Sequence, residues 1–275
     1  MSVLKRLARN PQGLLGFVLT GCVLILAVFG PTLAPADPET MNFANRFEAP
    51  SGAFPLGTDW FGRDLASRIM VGARSTVLLA LLATVIATAV GSLVGIVSGY
   101  LGGWLDEIIM RMVDAVMAIP GLLFALLIIS ALGSSAINAV IAIGVAFAPG
   151  MARIARSVTL QVRALDYVSA ARSRGEGPGW IVLAEILPNV AAPIIVEATI
   201  RVAFAIMTLA TLSFLGLGAQ PPSPEWGLMI SEGREHMFRS PWPIIAPGAA
   251  IALVAIGFNL LGDGLRDVLN PKTEH

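Results

Sequence analysis

The chain has 275 residues, 56% of them hydrophobic and 13% charged. A soluble domain carries about 25% charged residues, and half that share cannot coat a globule, so lipid is the expected main solvent. The 18 basic and 18 acidic side chains cancel, which argues against nucleic acid as a partner, because a basic surplus is what displaces its counterions.

A helix needs about 20 apolar residues to cross roughly 30 Å of hydrocarbon. Five stretches free of Asp, Glu, Lys and Arg meet that need: 10–36, 75–105, 115–152, 202–224 and 240–262. The third is interrupted at Gly133-Ser134-Ser135. Extended into its charged flanks, it fits two helices joined by a tight turn. Six spans are therefore predicted, near 14–34, 76–99, 107–131, 137–156, 190–217 and 244–262. An even number puts both termini on one side of the membrane.

The first span follows Lys5, Arg6 and Arg9, as in a signal peptide, and Leu19-Thr20-Gly21-Cys22 imitates a lipoprotein processing site. The apolar run continues through Val23 to Phe29, so an uncleaved span is expected. Between the first two spans lies Gly62-Arg63-Asp64-Leu65-Ala66-Ser67-Arg68-Ile69-Met70. Leu65, Ile69 and Met70 share a helical face, which predicts a short helix lying in the interface. The second span carries Gly91, Gly95 and Gly99, spaced by four, a smooth stripe suited to close helix packing.

The third span opens with Asp106, Glu107, Arg111 and Asp114. Offsets of four and three let Arg111 pair with Glu107 and Asp114, as a structural cluster or as a gate lining. Between spans four and five, Asp166 to Trp180 reads as a helix–turn–helix. Gly175 can end the first helix in a left-handed turn and Pro178 can open the next. The small residues at 169–171 suit docking, with Ala170 and Ala171 against a groove on another protein; the alternative is an ordinary charged, solvated loop. The fifth span holds Glu197 and Arg201, a structural pair or a contact for a cationic group of a solute. The outer stretch 219–243 is rich in Pro and Trp, which suits the headgroup layer.

Orientation follows from the basic residues. One side holds 11 of them: Lys5, Arg6, Arg9, Arg111, Arg153, Arg156, Arg163, Arg172, Arg174, Arg266 and Lys272. The other holds 6: Arg46, Arg63, Arg68, Arg74, Arg234 and Arg239. Both termini and the loop 157–189 are therefore expected to be cytoplasmic.

Catalytic chemistry has little to stand on. The phosphate-cradling G-x-x-x-x-G-K-[ST] loop, H-E-x-x-H and G-x-S-x-G are all missing from the sequence. One cysteine, Cys22, and two histidines, His236 and His275, rule out an internal disulfide, a cysteine metal cluster and a histidine zinc site. No catalytic residue, metal or chain-bound cofactor is expected. With few carboxylates inside the spans, a proton-driven transporter has thin material, and energy for moving a solute would come from a partner.

Ser169-Ala170-Ala171, then Gly175 and Leu187-Pro188, resembles the EAA signature of ABC-importer permeases. Six further blocks resemble the C-type permeases of dipeptide, oligopeptide and nickel importers. These are Pro55-Leu56-Gly57-Thr58-Asp59 with Gly62-Arg63-Asp64; Gly99-Tyr100 with Gly102-Gly103-Trp104; Met110-Arg111 with Asp114; Leu212 to Gly218; Pro221-Pro222 with Pro224 and Trp226-Gly227; and Asn259 to Asp267. Ser169 stands in place of the signature's glutamate, and Glu185 and Phe54 stand where histidine is frequent.

The resemblance implies an all-α membrane protein of the type I importer permease fold in a bacterial cytoplasmic membrane. It implies an N-terminal tail and first span over 1–35, a periplasmic segment over 36–73, a core transmembrane domain over 74–264 and a tail over 265–275. It also implies partners: a B-type permease, two ATPase subunits that hold ATP and magnesium, and an external solute-binding protein. Ser169, Ala170, Ala171, Arg172, Gly175, Glu176 and Pro188 would form the ATPase-coupling loop. A short peptide is the expected solute, with nickel, glutathione, an opine or an oligosaccharide as alternatives. An autonomous secondary transporter or channel would show internal repeats or functional intramembrane charges, and a membrane-anchored assembly factor would have no transport role.

Overall fold

A computed structural model describes residues 6–7 and 10–269. Lys5, Arg9, Lys272 and the tail 270–275 lie outside the described residues. The elements are helices: α1 (Pro11–Leu33), α2 (Leu65–Leu101), α3 (Gly103–Met117), α4 (Gly121–Leu132), α5 (Ala136–Arg163), α6 (Asp166–Ser173), α7 (Pro178–Phe214), α8 (Trp226–Arg234) and α9 (Trp242–Leu269). The only strand-like pairing among the described residues is an isolated bridge between Thr58 and Asp64. Among the described residues five helices are long and apolar enough to cross a membrane, and there are six spans if the bent pair α3–α4 counts as one.

Local chemistry sets the ends. Asn10 caps α1 by accepting from the Gln12 and Gly13 N–H groups, and Pro11 occupies the first turn. Gly13 and Gly16 let α1 lie directly on α9, where added Cβ atoms would run into the backbone at Gly264 and Leu260–Leu261. The opposite side of α1 leaves Phe17, Val18, Ile25, Val28 and Phe29 exposed, a surface suited to lipid.

The stretch 62–70 corrects an expectation. It does not form a separate interfacial helix. Asp64 accepts from the Ala66 and Ser67 N–H groups and starts α2, which then runs without a break for 37 residues. No Gly–Pro pair or turn cluster stands between Met70 and the apolar run, so nothing stops the helix. At 1.5 Å per residue α2 is about 55 Å long, so its first turns stand outside the hydrocarbon. They are buried in protein, with Leu65 and Arg68 each 1% exposed.

Ions cement the start of α2. Arg63 reaches Asp59 at 2.5 Å and Glu232 of α8 at 2.9 Å, and Arg68 reaches Glu232 at 3.3 Å. The segment before α2 is thereby tied to α8, a contact between residues 169 positions apart. Glu225 caps α8 through the Gly227 and Leu228 N–H groups. Burial pushes its carboxyl above the ordinary range, against the lowering effect of those bonds.

The third predicted span is not straight. Helix α3 ends at Met117, α4 begins at Gly121, and the two axes are bent by 87°. Pro120 cannot continue the α3 ladder and holds Ile119 away from the helical region. The fifth span starts earlier than predicted, at Pro178. Pro188 does not break it, because the turns at Ile181–Ile186 widen to the π form just ahead of that proline, and the helix also continues through Pro193.

Two apolar clusters form the interior. The larger joins α2, α4, α5, α7, α8 and α9 through residues such as Ala80, Ile129, Ile143, Ile206, Leu209 and Phe258. The smaller sits at the end of the bundle where α5 passes into α6 and includes Ile96, Met151, Val162, Val168, Ala171, Ile186 and Val190.

Candidate functional site

The smaller cluster carries the segment between α5 and α7. Helix α6 is two turns long and stops in a Schellman arrangement. Gly175 takes φ +83°, its N–H bonds the Arg172 carbonyl at 3.0 Å, and the Glu176 N–H bonds the Ala171 carbonyl at 3.2 Å. A side chain at 175 would be strained by that backbone alone, although nothing crowds the position. Pro178 then opens α7.

Helical periodicity splits α6 into two faces. Val168 and Ala171, three apart, are fully buried in the smaller cluster. Ser169, Ala170, Arg172 and Ser173 are exposed. This corrects the expectation that Ala171 lies against a partner's groove: it packs into its own subunit, and Ala170 is the small residue that faces outward. Arg172 lies over the Tyr100 ring at 5.3 Å, which joins α6 to the end of α2. Arg174 approaches Glu176 and Glu185 at 3.8 and 3.7 Å with half its surface in solvent, pairs that add little stability. Glu176 is half-buried and Pro188 is exposed on α7.

Gly91, Gly95 and Gly99 form the seam between α2 and α5. Added Cβ atoms would meet the carbonyls of Ala148, Ala152 and Arg156 in turn. The four-residue spacing recurs on both helices, so the two backbones approach closely over 91–99 and 148–156.

The charges at the start of the third span sort differently from the sequence expectation. Arg111 pairs with Glu107 at 2.5 Å, largely in solvent. Asp114 does not join them. It accepts from Arg153 of α5 at 2.6 Å, also exposed. The well-buried acid is Asp106, which takes both arms of Arg156 at 2.6 Å and the hydroxyl of Ser98. No short-range spacing signals this contact, because Asp106 and Arg156 are 50 residues apart.

Glu197 and Arg201 are paired at 3.0 Å on α7, each side chain roughly one-fifth exposed. The Arg201 guanidinium lies against Gly150 of α5, within 2.8 Å of where a Cβ would stand. Glu197 also lines a cavity of about 340 Å³ with Ile154, Val158, Pro193, Val196, Arg266 and Leu269. Among the described residues no group of three or more His, Cys, Asp or Glu side chains is arranged to hold a metal ion.

Comparison with known proteins matches this architecture. The family described as "Binding-protein-dependent transport system inner membrane component" matches residues 91–275. The N-terminal TM domain of oligopeptide transport permease C matches residues 2–50. The chain is 41% identical over 268 residues to the dipeptide transport system permease protein DppC of Alkalihalophilus pseudofirmus, covering 98% of this chain and 88% of that protein. It is 42% identical over 263 residues to the probable D,D-dipeptide transport system permease protein DdpC of Escherichia coli K12, covering 96% and 88%. A glutathione transport system permease protein, GsiD of Shigella flexneri, is 40% identical over 269 residues, covering 98% and 89%. Among solved structures, an inward-facing form of the MetNI methionine ABC transporter has a similar fold, with a TM-score of 0.61 at 17% identity, covering 74% of this chain and 96% of that one.

Proposed function

The chain belongs to the family of binding-protein-dependent transport system inner membrane components, and from that premise we propose that it forms half of the path by which an ABC importer carries a short peptide across the cytoplasmic membrane. Near-full-length identity of about two residues in five to dipeptide permeases supports peptide as the solute. The glutathione relative keeps a modified tripeptide within reach of the same path. A B-type permease supplies the other half, two ATPase subunits carry ATP and magnesium, and an external binding protein delivers the solute. This chain itself contributes no catalytic residue.

The division of labour follows from the inner-end geometry. Helix α6 offers a small polar outer face, and its inner face is rooted in the cluster that also holds α2, α5 and α7. A partner that moves α6 therefore moves the inner ends of three spans. Closing of the ATPases on ATP drives the bundle outward-facing, and hydrolysis returns it inward-facing to release the solute.

The reading is tested by uptake. The permease pair and the ATPases in liposomes, supplied with the binding protein, are expected to accumulate a labelled dipeptide only when ATP is enclosed on the ATPase side. Accumulation without ATP, or without the binding protein, would overturn it. Competition by glutathione at similar concentration would shift the solute class to the tripeptide.

Orientation has its own test. With Cys22 replaced by alanine, a cysteine at Ser173 on α6 is expected to react with a membrane-impermeant reagent only in opened cells. A cysteine at Phe238, which is 96% exposed in the opposite loop, should react in intact spheroplasts. The reverse pattern would invert the topology.

A further inference from the structure

We propose that Asp106 and Arg156 form the joint that makes the bent third span follow the docking helix, so that they act as positioning residues for transport; this rests on the importer reading above.

The inner ends of α2, α5 and α6 already behave as one packed body. Val168 and Ala171 of α6 share a cluster with Ile96 of α2 and Val162 of α5. Arg172 covers Tyr100. Arg163 donates to the Gly99 carbonyl at 3.1 Å. Helix α3 is attached differently. It buries only Asp106 and Val113, so packing holds it weakly. It leaves α2 through two successive glycines with positive φ, Gly102 at +67° and Gly103 at +63°. That turn brings Asp106 back beside Ser98, and it leaves room for Arg163, whose Nη1 would sit 2.6 Å from a Cβ at 102.

The Asp106–Arg156 contact supplies what packing lacks. Arg156 Nε donates to Asp106 Oδ1 and Nη2 donates to Oδ2, both at 2.6 Å. A two-armed contact fixes orientation as well as distance. Asp106 is 11% exposed, so water screens it little, while the second rung, Asp114 to Arg153, is more than half exposed on both sides and is a weak tether. Beyond the joint, α3 turns by 87° into α4, which is apolar and 12 residues long. Ala125 and Ile129 of α4 are packed in the larger cluster, so α3 is the link between the body that carries the docking helix and that core.

The test compares uptake and ATP hydrolysis in the same liposomes containing the full complex. Asp106→Asn and Arg156→Gln are expected to hydrolyse ATP at close to the wild-type rate. Solute moved per ATP should fall about tenfold or more, the scale of one lost charge-assisted contact. The exchanged pair Asp106→Arg with Arg156→Asp should recover part of that ratio, and Arg153→Gln should leave it near wild type. Where Asp106→Asn fails to accumulate, Arg156→Lys keeps the charge and loses the fork, and it should still lower the ratio. Uptake and hydrolysis falling in parallel would show a structural pair and overturn the joint, as would a wild-type ratio in Arg156→Lys. A wild-type complex with no ATP-dependent uptake would remove the importer reading itself, and the joint with it.

Discussion

Ala170→Glu and Ala171→Glu are expected to fail at different stages, although the two alanines are neighbours. Ala170 is exposed, and glutamate is a tolerable helix former that costs a few tenths of a kcal/mol there. The Ala170→Glu permease should reach the membrane in normal amount, lose most of its ATPase on purification, and transport little. Ala171 is fully buried beside Val168, Ile186 and Val190. A carboxylate there has no partner in the cluster, and a buried ion left uncompensated costs about 3–5 kcal/mol. Ala171→Glu should therefore lower the amount of folded permease before docking is ever tested. Immunoblots of membranes together with ATPase pull-down separate the two. Full uptake by Ala170→Glu would show that the outer face of α6 is not the docking surface. Normal accumulation of Ala171→Glu would contradict the buried face.

The two variants also mark how far the sequence could be read. Long charge-free runs announce membrane helices because each span must satisfy its backbone internally and present apolar side chains to lipid. The stop of α6 and the start of α7 were legible for a similar reason: Gly175 and Pro178 have backbone constraints that few other positions tolerate. The glycine stripe was legible as a packing face because its period matches the helix. Which way α6 faces was not legible. Alanine is equally at home in a tight core and against a partner, so Ala170 and Ala171 look alike until Val168 fixes the buried side.

Contacts between distant residues were the other gap. Arg111, Glu107 and Asp114 satisfy a local spacing rule, yet Arg153 from α5 takes Asp114 away. Asp106, the acid that the fold buries, has no local basic partner to give it away. At 62–70 an amphipathic face suggested a helix lying on lipid. Its arginines are instead neutralised inside protein by Asp59 and Glu232, and Glu232 lies on α8, far along the chain. The third span was expected as one helix over 107–131, and the backbone limits at Ile119–Pro120 cut it in two.

Replacing Glu197 or Arg201 singly is expected to be far worse than replacing both. The pair sits on a membrane-spanning helix, with the Arg201 guanidinium held between Glu197 and the bare backbone of Gly150. An unpaired ion deep in a span costs about 2.5–3.5 kcal/mol on insertion scales. Glutamate N-terminal to arginine at a spacing of four is the favourable order, so each side chain lowers the burial cost of the other. The two single variants should not be equal. Glu197 lines the 340 Å³ cavity, where water can reach a carboxylate, whereas Arg201 does not line it and its Nε is already buried without a partner. Glu197→Gln, which strands the arginine, should therefore reduce the assembled complex more than Arg201→Gln. The double glutamine variant carries no stranded ion and should regain much of the loss, the signature of a coupled pair in a double-mutant cycle. A solute contact makes the opposite pattern: normal assembly of Glu197→Gln, impaired uptake, and no gain from adding Arg201→Gln. Quantifying assembled complex and uptake for all four versions decides between the two, and wild-type behaviour in both single variants would remove either role.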